Sequence, residues 1–461
     1  MQGRESFKVA YRFLANSFVT IAVTALFAVL WFTRLNNIMA YHFLTIGNWL
    51  MIGTYMVLVI LFINTFGGYK IGVQRISIVS LSQALALAAA NVVTLVLNVL
   101  MNRIKEFVLA IAAHYVLLTM VQAVLVVLLT FAFTRIHRIL FPPYQMLHIY
   151  GDHANSLMQK MNKREDKYNI VAEISCNEPI DKIIKEAKKY EAVLINDVTA
   201  QLRNDILKKC YENKIRVYFT PKISDILVSS SEEINVFDTP LYLCRSAGFN
   251  VFQGLIKRLG DICISLLGIV IFSPLMLVVA AIIHLYDNGP VLYRQKRCTI
   301  DDRVFDILKF RSMIENAESD GKARLATEHD NRITPIGKFI RATRIDELPQ
   351  FFNILKGDMS LVGPRPERPE IIKEYVAEVP EFAYRTKVKA GLTGYAQVYG
   401  KYNTTSYDKL KLDLIYVQKC SILLDIQLIL MTLRVVFTKE STEGLGEGEV
   451  TASTGSSADK R

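Results

Sequence analysis

Two adjacent carboxylates, Asp346 and Glu347, stand at the start of the apolar run LPQFFNIL. Gly357 follows this run, so the sequence predicts a short helix that begins near the two acids and ends at Gly357. Adjacent residues on a helix point about 100° apart, which allows the two side chains different tasks. One carboxylate can attack phosphorus to form an acyl phosphate while the other holds a metal ion or a proton. The alternative is a capped helix with ordinary surface acids.

Short basic clusters accompany the two acids: YRQKR, KFRS, KFIRATR and GPRP. Acidic residues between them leave the region nearly neutral, so a general anion-binding patch is a poor explanation. Discrete basic residues aimed at phosphate groups explain these clusters better, because a planar guanidinium binds two phosphate oxygens at once. The alternative for any single arginine is a solvated face. The candidate phosphate-binding residues are Arg297, Lys309, Arg311, Arg341 and Arg365.

Four segments without Asp, Glu, Lys or Arg precede this region, and each is long enough to cross a membrane as a helix. They are Phe13 to Thr33, Leu35 to Tyr69, Ile76 to Asn102 and Phe107 to Thr134. The first segment lacks a small-residue cleavage site and further apolar segments follow at once, so it is read as an anchor and not as a signal peptide. The sequence therefore predicts a domain of four transmembrane helices over residues 1–140.

The positive charge of the chain is concentrated in residues 1–140, which contain ten Lys and Arg but two acidic residues. The positive-inside rule and anionic headgroups explain such an excess, so we expect no nucleic acid partner. Basic residues before the first segment and after the fourth favour a cytoplasmic N terminus and a cytoplasmic exit. The six cysteines have no paired or metal-ligand spacing, which is typical of free thiols in a reducing compartment.

Apolar runs and charged amphipathic stretches alternate from about residue 141 to residue 250. MLHIY, NIVAEI, EAVLIN and IRVYFT predict buried strands, and DKIIKEAKKY and AQLRNDILKKCYENK predict the helices between them. This alternation indicates a Rossmann-like α/β domain with a parallel sheet. Only Gly151 occupies the turn where a dinucleotide site needs several glycines. We therefore expect a spacer, regulatory or oligomerisation module without a nucleotide site.

A fifth apolar run extends from residue 262 to residue 286 and contains Ser273 and Pro274 near its centre. Proline removes a backbone donor and clashes with the preceding turn, so the helix is expected to kink or break there. The pattern leaves two alternatives open, a kinked crossing and a re-entrant helix that returns to the same side. Lys257 and Arg258 precede the run and are candidates for contact with a lipid headgroup.

Several of these stretches together resemble the bacterial sugar transferase family, the monotopic phosphoglycosyl transferases that act on polyprenol phosphate. The resemblance extends from about Lys257 to Phe437 and rests on KRLGDICISLLGIVIFSPLMLV, LYRQKR, ILKFRSM, NRITPIGKFIRATRIDELPQFFNILKGDMSLVGPRP, AGLTGYAQV and LDLIYVQKCSILLDIQLILMTL. It implies a mainly helical catalytic domain over residues 251–438, with a re-entrant membrane helix over residues 262–286 that is broken at Ser273 and Pro274. The four leading segments and the Rossmann-like domain resemble the large members of this family.

The resemblance implies a reaction in which a sugar 1-phosphate moves from a UDP-sugar to undecaprenyl phosphate with release of UMP. Asp346 would be the covalent nucleophile, and Glu347 its partner as metal ligand or base. Arg341 and Arg365 would bind phosphate oxygens, and Mg²⁺ would bridge the diphosphate. The expected location is the bacterial inner membrane with the catalytic domain facing the cytoplasm, where the protein would start exopolysaccharide, capsule or O-antigen repeat units. A homodimer is compatible with this assignment.

Four positions depart from the usual pattern of the family. Thr299 and Asp302 stand where glycines are common, Ala390 where proline is common, and Arg344 where serine is common. None of these changes removes a catalytic group, but they concern sugar specificity and loop geometry. Residues 439–461 are polar and rich in Gly and Ser, which predicts a disordered tail.

Two other functions remain alternatives. One is a related transferase that moves only the sugar and releases UDP. The other is a non-catalytic membrane protein whose middle domain senses a ligand or gathers an assembly machinery.

Overall fold

The computed structural model describes residues 2–38, 43–101, 108–151, 157–162, 164, 167–244, 248–314, 332–400 and 404–436. The tail predicted over residues 439–461 lies outside the described residues. The chain divides after Lys222 into two compact units, Met1–Lys222 and Ile223–Arg461. The division falls earlier than the boundary expected at residue 250.

Four long apolar helices open the first unit, as the charge-free segments predict. They are α1 (Gln2–Leu30), which continues through a π-helical turn (Trp31–Leu35) into the short α2 (Asn36–Ile38), then α3 (Thr45–Thr65), α4 (Ile76–Met101) and α5 (Val108–Leu140). Together with one helix of the second unit, five helices among the described residues are long and apolar enough to cross a membrane. These helices identify the chain as a membrane protein with N-terminal spans.

Buried polar side chains connect the four helices of this bundle. The Tyr55 hydroxyl of α3 donates to Asn91 Oδ1 of α4 at 2.8 Å, and Asn91 Nδ2 donates to Gln122 Oε1 of α5 at 2.9 Å. Gln122 Nε2 in turn donates to the Val23 carbonyl of α1 at 2.9 Å. Hydrogen bonds between helices hold bundles together in lipid, where apolar contact alone gives little preference for one partner.

A four-stranded parallel sheet follows in the order β2-β1-β3-β4. Its elements are β1 (Tyr144–Tyr150), α6 (Leu157–Asn162), β2 (Tyr168–Ser175), α7 (Ile180–Ala187), β3 (Ala192–Asn196), α8 (Ala200–Glu212) and β4 (Arg216–Phe219). The predicted strands and helices are confirmed, because continuous apolar runs are buried on both faces of a parallel sheet. The first turn of α1 is fastened to this sheet, since Glu5 accepts hydrogen bonds from Tyr144 and Arg216.

The second unit begins with elements that lie within the range predicted for the middle domain, residues 141–250. They are α9 (Ile223–Val228) and a hairpin of β5 (Glu232–Val236) and β6 (Thr239–Leu243). Ile223 and Ile226 belong to the same buried cluster as Leu410 and Leu414. This shared apolar core places α9 with the C-terminal part of the chain.

The remaining elements of the second unit are helices and short strands that pack together. They are α10 (Val251–Asp287), β7 (Leu292–Cys298), a 3₁₀ turn (Ile300–Asp302), β8 (Val304–Phe310), α11 (Pro335–Ala342), a 3₁₀ turn (Ile345–Glu347), α12 (Gln350–Lys356), β9 (Ser360–Val362), α13 (Pro369–Glu378), a 3₁₀ segment (Pro380–Lys387), β10 (Gly391–Thr393), α14 (Tyr395–Tyr399), α15 (Ser406–Lys419) and α16 (Ile422–Val436). β7 pairs with β8 in antiparallel register, and β9 with β10 in parallel register. The helix predicted before Gly357 is confirmed as α12, and Gly357 ends it at φ 96° in the left-handed region.

The fifth apolar run forms α10, a single helix that contains Pro274. The helix continues through Ser273 and Pro274, and the Ser273 hydroxyl donates to the Val270 carbonyl at 3.0 Å. A break into two separate helices is therefore not present. Both halves of α10 contact other helices of the second unit. Gly268 and Phe272 of the first half lie against Phe351 of α12, and Ile283 of the second half shares a buried cluster with Ile340 of α11.

Candidate active site

Asp346 and Glu347 lie in a 3₁₀ turn between α11 and α12, just before the helix whose first turn they were expected to occupy. Arg344 precedes this turn with φ 59°, in the left-handed region. A non-glycine residue there is uncommon, and it redirects the chain sharply from α11 into the turn. As a result both carboxylates are largely buried; Asp346 is 8% exposed and the Glu347 side chain 12%.

Three cations surround one oxygen of Glu347. Arg365 Nη2 donates to Glu347 Oε1 at 2.8 Å, and Arg344 Nη1 and Lys309 Nζ lie 3.5 and 3.6 Å from the same oxygen. Burial alone would raise the pKa of Glu347, but Arg365, Lys309 and Arg344 outweigh it and hold the pKa far below its usual range. Glu347 is thus a permanent anion that gathers three cations beside Asp346.

At Asp346 the same three cations do not outweigh burial. Its Oδ1 atom is buried and has no hydrogen-bond partner among the described residues. Burial raises the pKa of Asp346, the Glu347 charge adds to this, and Lys309, Arg344 and Arg365 oppose it. A buried carboxylate oxygen without a partner is costly, and such groups are typical of sites where a reaction or a ligand uses them.

Lys309, like Arg365, is a predicted phosphate-binding residue that lies beside Asp346 and Glu347. It projects from β8, and burial lowers the pKa of its ammonium while Glu347 counteracts that effect. Asn353 fixes this part of β8 to α12, because its amide accepts from the Leu308 N–H at 2.9 Å and donates to the Asp306 carbonyl at 2.8 Å. Lys309 is therefore held on a strand that packs directly against the turn.

The other three predicted phosphate-binding residues lie elsewhere. Arg311 forms an ion pair with Asp287 at the end of α10. Arg341 is half-buried in the last turn of α11 and makes no ion pair with Asp346 or Glu347 in the part of the chain that the structure describes.

Arg297 lies beside the GPRP segment and not on the carboxylates. Its Nη1 donates to the Pro366 carbonyl at 3.0 Å. Burial lowers the pKa of Arg297 to about 10, and the charge of Arg365 contributes to this shift. Arg297 therefore acts on the same loop as Arg365, but through its backbone.

The two residues predicted to contact a lipid headgroup, Lys257 and Arg258, bind protein groups in this structure. Lys257 Nζ donates to Asp425 Oδ2 at 2.5 Å and to the Val362 carbonyl at 3.2 Å. Arg258 donates to the carbonyls of Ile354 and Leu355 at 2.7 and 2.8 Å. The last carbonyls of a helix lack partners within the helix, so a cation there stabilises the end of α12. Both side chains attach the start of α10 to the rest of the second unit.

Sequence reasoning missed a group of charged residues behind the GPRP segment. Glu367 pairs with Lys409, Arg385 and Arg297, and these cations overcome burial and hold its pKa at about 2. Arg385 pairs with Asp413 of α15. These residues are isolated along the chain, so no local motif marks them. One signal was legible: Asp413 shares the helical face of Leu410, Leu414 and Val417, which predicts a buried carboxylate that needs a cation.

Two of the four departures from the family pattern contact each other. The Ala390 N–H donates to Thr299 Oγ1 at 3.1 Å, and both residues are buried. Proline at position 390 would have no N–H, and glycine at position 299 would have no side-chain hydroxyl to accept it, so the two exchanges compensate each other. Asp302 has φ 56°, in the region that favours glycine and that aspartate tolerates better than most residues.

A magnesium ion fits this arrangement only in combination with substrate. No group of three or more His, Cys, Asp or Glu that could hold a metal occurs among the described residues. Mg²⁺ commonly binds one or two carboxylates together with substrate phosphates and waters. Asp346, with its unpartnered oxygen, and Glu347 beside it are the residues that would hold the ion.

Comparison with known proteins supports the same region. The bacterial sugar transferase family matches residues 252–439, which include the turn, the GPRP segment and all but the first residue of α10. A putative undecaprenyl-phosphate N-acetylgalactosaminyl 1-phosphate transferase of Bacillus subtilis is 48% identical over 130 residues, or 28% of this chain and 72% of that protein. This chain belongs to the bacterial sugar transferase family.

Longer relatives match more of the chain. The UDP-N-acetylgalactosamine-undecaprenyl-phosphate N-acetylgalactosaminephosphotransferase of Aeromonas hydrophila is 38% identical over 270 residues, 56% of this chain and 62% of that protein. The UDP-glucose:undecaprenyl-phosphate glucose-1-phosphate transferase of Klebsiella pneumoniae is 36% identical over 273 residues, 57% of this chain and 56% of that protein. The matches thus span about three fifths of these two relatives, which are named for different sugars.

Proposed function

We propose that this protein transfers a sugar 1-phosphate from a UDP-sugar to undecaprenyl phosphate and releases UMP, and so initiates a polysaccharide repeat unit. The observation that carries the proposal is the buried, unpartnered Oδ1 of Asp346 beside Glu347 and its three cations. The names of the relatives from Aeromonas hydrophila and Klebsiella pneumoniae support the same substrate classes.

In the first step Asp346 attacks the phosphorus that carries the sugar. The bond from this phosphorus to the oxygen bridging the two phosphates breaks, and UMP leaves with that oxygen. The product is an acyl phosphate between Asp346 and the sugar 1-phosphate. Arg365 and Lys309 are placed to neutralise the phosphate oxygens, whose charge rises and spreads in the transition state. A Mg²⁺ ion held by Asp346 and Glu347 would add Lewis-acid neutralisation of the diphosphate.

In the second step an oxygen of undecaprenyl phosphate attacks the same phosphorus. The acyl phosphate bond breaks, Asp346 regains its carboxylate, and the lipid carries a diphosphate-linked sugar. Glu347 stays ionised throughout, because Arg365, Lys309 and Arg344 depress its pKa. It holds these cations where each phosphate arrives.

We also propose that α10 is re-entrant and keeps the catalytic unit on the cytoplasmic face of the membrane. A straight helix of 37 residues is about 55 Å long, more than a membrane core requires. Lys257 near its start pairs with Asp425, and Asp287 at its end pairs with Arg311, both within one compact unit. A bend near Pro274 is the simplest explanation for a helix whose two ends pair with residues of one compact unit.

The reaction is tested with membranes that contain the protein, labelled UDP-sugars, undecaprenyl phosphate and Mg²⁺. We expect lipid-linked label and UMP for one or two sugars, and no product with Asp346→Ala. Glu381→Gln, a substitution outside the site in the same unit, is the control. Product formation by Asp346→Ala would refute the covalent step. Release of UDP would show transfer of the sugar alone, and absence of any product would favour a non-catalytic protein.

A further inference from the structure

The backbone at the end of the GPRP segment and at the following residue, Glu367, is held at three consecutive carbonyls. The Arg365 carbonyl accepts from Arg385 Nη2 at 2.8 Å, and the Pro366 carbonyl accepts from Arg297 at 3.0 Å. The Glu367 carbonyl accepts from the Cys298 N–H at 2.9 Å. A loop fixed in this way has little freedom to rotate its peptide planes, so the direction in which the Arg365 side chain leaves the backbone is determined.

Arg385 is itself held from behind. Its Nε and Nη2 atoms both donate to Asp413 Oδ2, at 3.1 and 2.7 Å. Arg385 is 3% exposed and Asp413 1%, so the pair is removed from solvent. A buried ion pair contributes little net stability, because desolvation offsets the attraction between the charges. Stability alone is therefore a weak explanation for this pair.

The contacts that Arg365 makes through its guanidinium and through its carbonyl indicate the role of the Arg385–Asp413 pair. Its guanidinium contacts Glu347, and its carbonyl contacts Arg385. We propose that Arg385, oriented by Asp413, is a positioning residue that acts through Arg365 and places its guanidinium for the phosphate groups of the substrate. Arg385 touches neither carboxylate of the turn in the described part of the chain. This inference rests on the proposed function.

The proposal predicts a kinetic effect that depends on Arg365. Displacement of a positioned group by about 1 Å can reduce a rate by about 100-fold. We therefore expect Arg385→Met to lower the kcat for lipid-linked product by about 30-fold, and Arg365→Ala by about 100-fold. Arg385→Lys retains one donor for the Arg365 carbonyl and should recover part of the rate. Asp413→Asn retains the shape and an acceptor for Arg385, so it provides a second, less disruptive variant with a smaller loss.

A double-mutant cycle decides whether Arg385 acts through Arg365. In the Arg365→Ala background we expect Arg385→Met to cause no further loss. Independent roles would instead multiply to a loss of about 3,000-fold. Arg303→Gln is the matched control, because the Arg303 side chain is 58% exposed and pairs only with Asp358 at 3.6 Å among the ion pairs of the described residues.

A binding measurement separates this inference from the proposed function. Pyrophosphate with Mg²⁺ should raise the Tm of the full-length wild-type chain in detergent, and both Arg365→Ala and Arg385→Met should lose that increase. A merely structural Arg385 would lower the Tm of the free protein and leave the increase caused by pyrophosphate intact, which would overturn the proposal. A kcat of the Arg385→Met variant equal to that of the wild type would also overturn the proposal. Failure of the wild type to form product would count against the proposed function, and the pyrophosphate result would still decide the role of Arg385.

Discussion

Arg365 Nη2 lies 2.8 Å from Glu347 Oε1, and this contact joins the GPRP segment to the turn that carries Asp346. The two residues are eighteen positions apart, and α12 and β9 lie between them. Glu347 therefore has a structural task, since it fixes a cation beside the oxygen that is proposed to attack phosphorus.

Arg365→Lys should lower kcat/KM for the UDP-sugar by about 10- to 100-fold, and Arg365→Ala by about 100- to 1,000-fold. Lysine keeps the charge but loses the planar fork that can bind Glu347 and a phosphate oxygen together. Initial rates of UMP release measure both values. Arg303→Lys, an exposed change of the same type, should leave the rate unchanged. Equal rates for wild type and Arg365→Lys would show that only the charge matters.

Glu347→Gln should move the acid limb of the pH–rate profile to lower pH. Asp346 must be ionised to attack, and burial and then the Glu347 charge raise its pKa. Removal of that charge leaves Lys309, Arg344 and Arg365 to oppose the effect of burial on Asp346, so its pKa falls. The plateau rate falls as well, because the three cations lose their anchor. Residual UMP release across the pH range measures the shift, and a limb that moves to higher pH would contradict this coupling. Asp306→Asn on β8 is the exposed control.

The sequence predicted those features that local patterns determine. Continuous apolar runs between charged helices predicted the four strands of the sheet, and Gly357 predicted the end of α12. The position of Asp346 and Glu347 before α12 was predicted within a few residues. Their 3₁₀ turn was not, because it depends on a left-handed conformation at Arg344 that no pattern requires of arginine.

Residues that act across long separations could not be assigned from local spacing. Lys309 and Arg311 belong to the same short cluster, yet they bind different partners. Lys309 projects from β8 to Glu347, and Arg311, the residue after β8, pairs with Asp287. Lys257 and Arg258 precede an apolar run, which resembles a membrane anchor, although their partners are protein carbonyls and Asp425. In each case the tertiary partner decides the role of the cation.

Thr299 and Ala390 should show strongly coupled effects on stability. Thr299→Gly leaves the buried Ala390 N–H without its acceptor and should cost about 1–2 kcal/mol. Ala390→Pro removes that donor, so in the Thr299→Gly background it should restore most of the loss. Thermal unfolding of the four chains in detergent measures the coupling. Additive changes in Tm would show that the two positions are independent.

Glu367→Gln should destabilise the protein at neutral pH and much less in acid. The pKa of Glu367 is lowered from 4.5 in the unfolded chain to about 2 in the folded protein. Its contribution is therefore fully present above about pH 4.5 and is lost as the pH falls towards 2, with a value of about 3 kcal/mol at neutral pH. The Tm difference between wild type and variant should shrink across this window. A constant difference would assign the loss to packing, and Glu370→Gln, at an exposed position, should change little.

The two ends of α10 should be accessible from the same side of the membrane. Cys244 precedes α10 and Asp301 follows it, and both side chains are exposed. Two chains are required, one with Cys244 as its single cysteine and one with Asp301→Cys as its single cysteine. In sealed right-side-out vesicles an impermeant maleimide should label neither, and in inverted vesicles it should label both, because a re-entrant helix returns to the side from which it entered. Labelling of the two positions from opposite sides would show that α10 crosses the membrane and would exclude the bend proposed near Pro274.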